Sequence, residues 1–358
     1  MPTLVISDLH LGTRLGRDVL RRSEALEALL DAVATADRLV FLGDVVELLE
    51  GRATRAMEIA APVVRAIGAR LGAEGEAIVV PGNHDAPLVR PWLRAHGAPR
   101  AVDAGIPTTA TPALATLARW LAPAGVRVHY PGVWLADGVW ATHGHYLDLH
   151  LLPESGYGIA RGLLGRLPRD GATPGDYERP GKPHATRAEA LMTRWLPRPL
   201  AVAWDDLAEL LRAATMPGIA RRSVRLSLAP LVARVLGAQV RHASLPALAR
   251  VVHRLGVGAE HVVFGHVHRL GPLPGDDPRR WQGPGGSPLM ANTGSWTYEP
   301  LLVHRARPPH PYWPGGAVVL EDDGPPRALG LLDHLDAAAL RTGVQGGARG
   351  GRRRSGTL

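Results

Sequence analysis

A chain of 358 residues, 46% hydrophobic and 21% charged, is enough for one large α/β domain with an insertion or for two modest domains, and its composition excludes wholesale disorder. The absence of cysteine excludes disulfides and thiolate metal sites, leaving His, Asp, Glu and Asn as the available ligands. The formal charge of +8 suits a phosphate-rich partner, but Arg349, Arg352, Arg353 and Arg354 supply part of it from a glycine-rich end that reads as a solvated tail.

Apolar runs rich in Val, Ile and Leu predict strands at residues 3–7, 38–42, 77–81, 133–142, 261–264, 289–295 and 317–320. Residues 18–36 and 53–72 carry apolar positions at three- and four-residue spacing and read as helices between the first strands. Such alternation implies parallel pairing with helices covering the sheet. The later strands follow one another closely, so the sheet is expected to be mixed or doubled into a sandwich. Residues 147–258 read as a helical insertion or lid between a first core part, 1–146, and a second, 259–340. Residues 271–288 read as a loop and 341–358 as a disordered basic tail. Neither a basic leader nor a stretch of roughly 18 apolar residues is apparent, so the expectation is a cytoplasmic protein, with peripheral membrane contact at most.

Five clusters fall at the carboxyl ends of predicted strands: Asp8-Leu9-His10, Gly43-Asp44, Gly82-Asn83-His84-Asp85, Thr142-His143-Gly144-His145 and Gly265-His266-Val267-His268. Ligands of open α/β sheets bind at that edge, so five clusters there would converge on one site. Strand residues two apart share a face, which would let Asp8 act with His10 and His266 with His268. Carboxylates, imidazoles and an Asn carbonyl together suit a borderline divalent metal better than calcium or magnesium. A bridging carboxylate could hold two ions about 3.5–4 Å apart. The glycines beside these ligands permit tight turns. His145 could be a ligand in place of His143, a partner of a ligand or a substrate contact, with His143 preferred. Asp148 and His150 match no motif and are expected at the surface. Glu47 reads as an acidic residue at a helix start. Arg14 could meet a phosphate, and Trp195 and Trp204 read as packing residues.

In order and content these five clusters resemble the signature of the calcineurin-like metallophosphoesterases. The turn Asn292-Thr293-Gly294-Ser295 resembles a further strand end of that family. The resemblance implies an α/β fold, a mixed β-sandwich flanked by helices, and two divalent ions, manganese first, with iron or zinc also suitable. It implies one ion on Asp8, His10, Asp44 and His268 and the other on Asp44, Asn83, His143 and His266. His84 would be the catalytic histidine, with Asp85 orienting its ring. The implied activity is hydrolysis of a phosphodiester, phosphomonoester or pyrophosphate by metal-bound hydroxide, on a small-molecule, nucleotide or lipid-linked substrate. Asp8-Leu9-His10-Leu11-Gly12 resembles the branch of UDP-diacylglucosamine pyrophosphatases, but His84 stands where that branch typically has Arg. Nuclease action on DNA or RNA is the alternative, weakened because no basic stripe interleaved with aromatics stands out. A metal-free scaffold is a third reading, disfavoured because every ligand position is filled.

Overall fold

The computed structural model describes residues 2–13, 16–150, 168–178, 234–238, 240–303, 306–322 and 324–341. Arg14, Trp195, Trp204, most of the expected insertion and the tail beyond 341 lie outside the described residues.

Eleven strands among the described residues form two sheets: β1 Thr3–Ile6, β2 Arg38–Phe41, β3 Glu76–Val79, β4 Ala104–Gly105, β5 Gly125–Tyr130, β6 Gly132–Ala136, β7 Val139–Thr142, β8 His261–Phe264, β9 Leu289–Asn292, β10 Gly316–Leu320 and β11 Arg327–Gly330. The larger sheet runs β11-β10-β1-β2-β3-β5-β4 and the smaller β6-β7-β8-β9. Strands β1, β2, β3 and β5 pair in parallel, as do β7, β8 and β9, while β10, β11, β4 and β6 add antiparallel edges. The expected mixed sheet is therefore doubled into a sandwich.

Period-two alternation explains why the sheets stack. Val5, Val40 and Ile78 share an inter-sheet core with Val139, Ala141, Val263 and Ala291. Their neighbours Leu4, Ile6, Leu39, Phe41, Ala77 and Val79 belong to a second core on the opposite face. There they meet helices α1 Ser23–Val33 and α2 Ala53–Leu71. Helix α1 buries Ala25, Leu29 and Val33 at four-residue spacing, and α2 buries Ala56, Ala60, Val63, Val64 and Ile67. Two further helices, α3 Arg90–His96 and α4 Pro112–Trp120, follow. After the short α5, Pro174–Glu178, comes α6, Leu245–Arg254. Leu245, Leu248, Val251 and Val252 of α6 pack with Trp140, Val262, Phe264 and Met290 on the outer face of the smaller sheet. Part of the span expected as an insertion is thus the fourth layer of a helix–sheet–sheet–helix stack.

Several elements differ from expectation. The predicted strand at 133–142 is the hairpin β6–β7, in which Ala136 pairs with Val139 across Asp137-Gly138. Gly138 takes φ 69° there, a left-handed conformation that favours glycine. Strand β5 was not anticipated because its apolar Val126, Val128 and Tyr130 alternate with Arg127 and His129 rather than forming a run.

One buried acid is unrelated to the candidate site. Asp18 accepts from Gly12 N at 3.1 Å, Arg21 Nη1 is 3.7 Å away, and its other oxygen has no hydrogen-bond partner. Burial pushes its carboxyl up to about 6, against the opposing pull of Gly12 and Arg21. The folded state therefore binds more protons than the unfolded chain between about pH 4 and pH 6. This contribution to stability falls as pH rises through that window. At about 1.4 kcal/mol per pH unit the cost at neutrality is roughly 2–3 kcal/mol. Asp18→Asn is expected to raise Tm relative to wild type at pH 7.5, with the difference shrinking towards pH 4.5. A variant-minus-wild-type difference that does not change with pH would refute this account.

Candidate metal centre

The parallel strands of both sheets release their chains at one edge, and the loops after β1, β2, β3, β7, β8 and β9 meet there. Backbone hydrogen bonds extend the ladders into these loops: Asp8 N to Gly43 O (3.0 Å), His10 N to Asp44 O (2.8 Å), Gly265 N to His143 O (3.0 Å) and Trp296 N to Asp8 O (3.0 Å). The turn after β9 also supports the site from below. Asn292 Nδ2 donates to Gly265 O at 2.7 Å, and Thr293 Oγ1 lies 2.5 Å from Ser7 Oγ, which in turn donates to Asp8.

Asp8, His10, Asp44, His266 and His268 are the non-glycine residues with left-handed backbone, φ between 44° and 69° among the described residues. Each such residue costs on the order of 1 kcal/mol, and strain of this kind concentrates where function requires it. The pairing of Asp8 with His10 and of His266 with His268 thus arises from loop residues in left-handed conformation beyond the strand ends. It does not come from the strand alternation expected from the sequence. Glycine is required beside them. A Cβ on Gly82 would lie 2.3 Å from Asp44 Oδ1, and one on Gly43 would lie 2.3 Å from His143 Nδ1.

Seven residues expected as ligands lie together. His268 Nε2 is 3.1 Å from Asp8 Oδ1 and 3.3 Å from His10 Nε2. His10 Nε2 and His143 Nε2 lie 3.8 and 3.2 Å from Asp44 Oδ2, and His143 Nε2 is 3.0 Å from Asn83 Oδ1. Three groups have donor atoms close enough to share an ion: Asp8, His10 and His268; His10, Asp44 and His84; and Asp44, His143 and His266. Asp44 is common to two of them.

The donor chemistry fits divalent cations. Asp8, Asp44, Glu47 and Asp85 are all buried, at 0–2% exposure, where unneutralised carboxylates are costly. Asp8 Oδ1 accepts no well-aligned hydrogen bond, its near neighbour His268 Nε2 lying 3.1 Å away. His10 and His143 have their Nδ1 atoms engaged by Glu47 Oε2 and Leu42 O, each at 2.9 Å, which leaves Nε2 facing the carboxylates. Electrostatics follow from this crowding. Burial would raise the Asp44 carboxyl, but His143, His84 and His10 outweigh it and hold it well below its ordinary range. Burial opposes protonation of His143 as well, yet Asp44 lifts it to about 9.

The structure corrects four sequence expectations. Glu47 does not serve a helix start; it lies before α2 and is buried, with Oε2 2.6 Å from His84 Nδ1 and 2.9 Å from His10 Nδ1. Asp85 does not orient the His84 ring. Its carboxylate accepts from Val45 N and Gly82 N, tying the loops after β2 and β3 together, and burial with the nearby Asp44 charge pushes it up to about 6. His150 is buried, and Asp148 Oδ1 lies 2.9 Å from His266 Nε2; neither is a free surface residue. His143, preferred over His145, stands in a donor group with Asp44, whereas His145 Nε2 is 3.4 Å from Tyr130 OH and 3.8 Å from Glu178 Oε1. The acid three residues after Gly43-Asp44 was the available sign of Glu47, but a three-residue spacing does not reveal that the chain turns back into the site.

Stacked sheets with helices on both outer faces, and His, Asp and Asn donors at one edge, define a layered α/β protein with candidate metal-ligand clusters at that edge. Residues 1–164 match the family model for calcineurin-like phosphoesterases. His266 and His268 lie beyond the matched residues, and the fold brings them to the same site. The family match and the ligand clusters support a metal-dependent phosphoesterase. A comparison with curated proteins returned no match. Among the described residues no helix is long and apolar enough to cross a membrane.

Proposed function

We propose that the protein is a dinuclear phosphoesterase that hydrolyses a phosphodiester, phosphomonoester or pyrophosphate bond, with manganese as the first candidate metal and iron or zinc as alternatives. The observation that carries this reading is the position of Asp44 Oδ2, which lies 3.8 Å from His10 Nε2 and 3.2 Å from His143 Nε2, between the donors of Asp8, His10 and His268 and those of His143 and His266. Asp8, His10 and His268 would hold one ion and Asn83, His143 and His266 the other, with Asp44 common to both. Ions bound there would supply a nucleophile at neutral pH and neutralise charge on the phosphoryl oxygens.

The chain's own residues do the remaining work. His84 stands edge-on to His10, with ring centroids 4.7 Å apart, and its backbone N–H donates to Asp44 Oδ1 at 2.8 Å. Burial disfavours its charge, but Glu47 and Asp44 overcome this and hold it well above its ordinary range. With Nδ1 in an ion pair with Glu47 Oε2, 2.6 Å away, the proton on Nε2 is the one His84 can give to a departing ester oxygen. Glu47 supports the charged ring and orients it. The substrate is a phosphate-containing small molecule or a lipid-linked phosphate.

The test is hydrolysis of an aryl phosphodiester beside the matching monoester, by protein stripped with a chelator and then reloaded with manganese, iron or zinc. Turnover that disappears on stripping and returns on reloading is expected. Hydrolysis indifferent to the chelator, or purified protein that binds no divalent ion, would overturn the reading.

A further inference from the structure

The turn His145–His150, directly after His143, is anchored on both sides. Tyr146 donates to Glu178 Oε1 at 2.9 Å, and its ring stacks on Tyr177 with centroids 4.7 Å apart and planes 9° from parallel. Leu147 is fully buried, and His150 Nε2 lies 3.1 Å from Tyr177 OH. Asp148 is thereby carried on a fixed turn to His266, Oδ1 to Nε2 2.9 Å. The backbone of His266 is also held, since its N–H donates to Asp8 Oδ2 at 2.9 Å. Its ring orientation is what remains to be set.

We propose that Asp148 is a positioning residue that sets the His266 ring for metal binding, accepting from Nε2–H and leaving Nδ1 for the ion shared with Asp44 and His143. The proposal rests on the metal-centre reading above. It follows the pattern of the neighbouring histidines with the ring reversed. In His10 and His143 a protein oxygen takes Nδ1 and Nε2 turns inward; in His266 the protein oxygen takes Nε2. An imidazole whose outer N–H is held by a carboxylate is preoriented and a stronger donor at its other nitrogen, and losing such a partner typically costs 10–100-fold in metal affinity. Asp148 and His266 are separated by 118 residues, so their contact depends on the parallel pairing of β7 with β8.

The test is calorimetric titration of the full-length, metal-stripped protein with manganese or zinc alone. Asp148→Ala is expected to weaken one of two sites by roughly 10–100-fold. Asp148→Asn, whose amide oxygen can still accept from Nε2–H, is expected to keep most of that affinity and guards against a folding defect in the alanine variant. Nitrogen-15 NMR of the zinc-loaded wild type should place the His266 proton on Nε2. Wild-type affinity in Asp148→Ala, or a proton on Nδ1, overturns the proposal. So does equal loss in the Asn and Ala variants, which would mean that the carboxylate itself meets the ion. Asp44→Asn separates the two readings: if it too binds metal like wild type, the metal centre is wrong; if it alone loses metal, only the role of Asp148 is wrong.

Discussion

Asp44→Asn is expected to bind at most one divalent ion and to lose at least ~10³-fold in turnover, because several kcal/mol of charge stabilisation depends on the metals. Asparagine is the informative replacement. It tolerates the left-handed backbone that Asp44 adopts at φ 54°, and its amide oxygen can still accept from His84 N–H, 2.8 Å away in the wild type. The loss would therefore report the missing charge rather than a broken loop. Stability should move with it. A ligand that binds only the folded state stabilises by about 2.7 kcal/mol at a hundredfold excess over Kd, so manganese should raise Tm in the wild type and much less in the variant. Two ions bound by Asp44→Asn with wild-type turnover would remove the basis for a shared carboxylate.

His84→Ala should separate chemistry from metal binding. Both ions stay, because the expected ligand set retains Asp8, His10, Asp44, Asn83, His143, His266 and His268, while kcat falls by about 10²–10⁴-fold for substrates with poor leaving groups. Activated aryl esters, whose leaving oxygen needs no proton, should suffer much less. Glu47→Gln should reproduce part of the kcat defect and also weaken metal binding, since Glu47 Oε2 serves both His84 and His10. The dependence on leaving group is the discriminating measurement. An equal loss for activated and unactivated esters would show that His84 does not deliver the proton.

Much of the site was legible because its residues sit in short local patterns. Asp8-Leu9-His10, Gly82-Asn83-His84-Asp85 and Gly265-His266-Val267-His268 each lie within four positions, immediately after an apolar run that could only be a buried strand. A strand's burial is written in its own composition, so β1, β2, β3 and β8 and their carboxyl ends could be found without contacts. Strand β5 is not such a run: Val126, Val128 and Tyr130 alternate with Arg127 and His129, the weaker pattern of a half-buried strand. The roles of Glu47, Asp148 and the reassigned Asp85 could not be found in this way. A carboxylate's role is set by which donor the fold places against it, and nothing at residue 148 encodes a histidine at residue 266.

The sequence by itself determined the layered α/β class, the edge at which the ligands gather, and the ligand types. Those follow from periodicity and side-chain chemistry, which are local properties. Only the tertiary structure decided which strands enter each of the two sheets and that α6 forms an outer layer. It also decided that ligand pairs are presented by left-handed loop residues, and that Glu47 and Asp148, rather than Asp85, hold the histidine rings. These depend on loops from six strands closing on one another, and the energy of each such contact belongs to residues far apart in the chain.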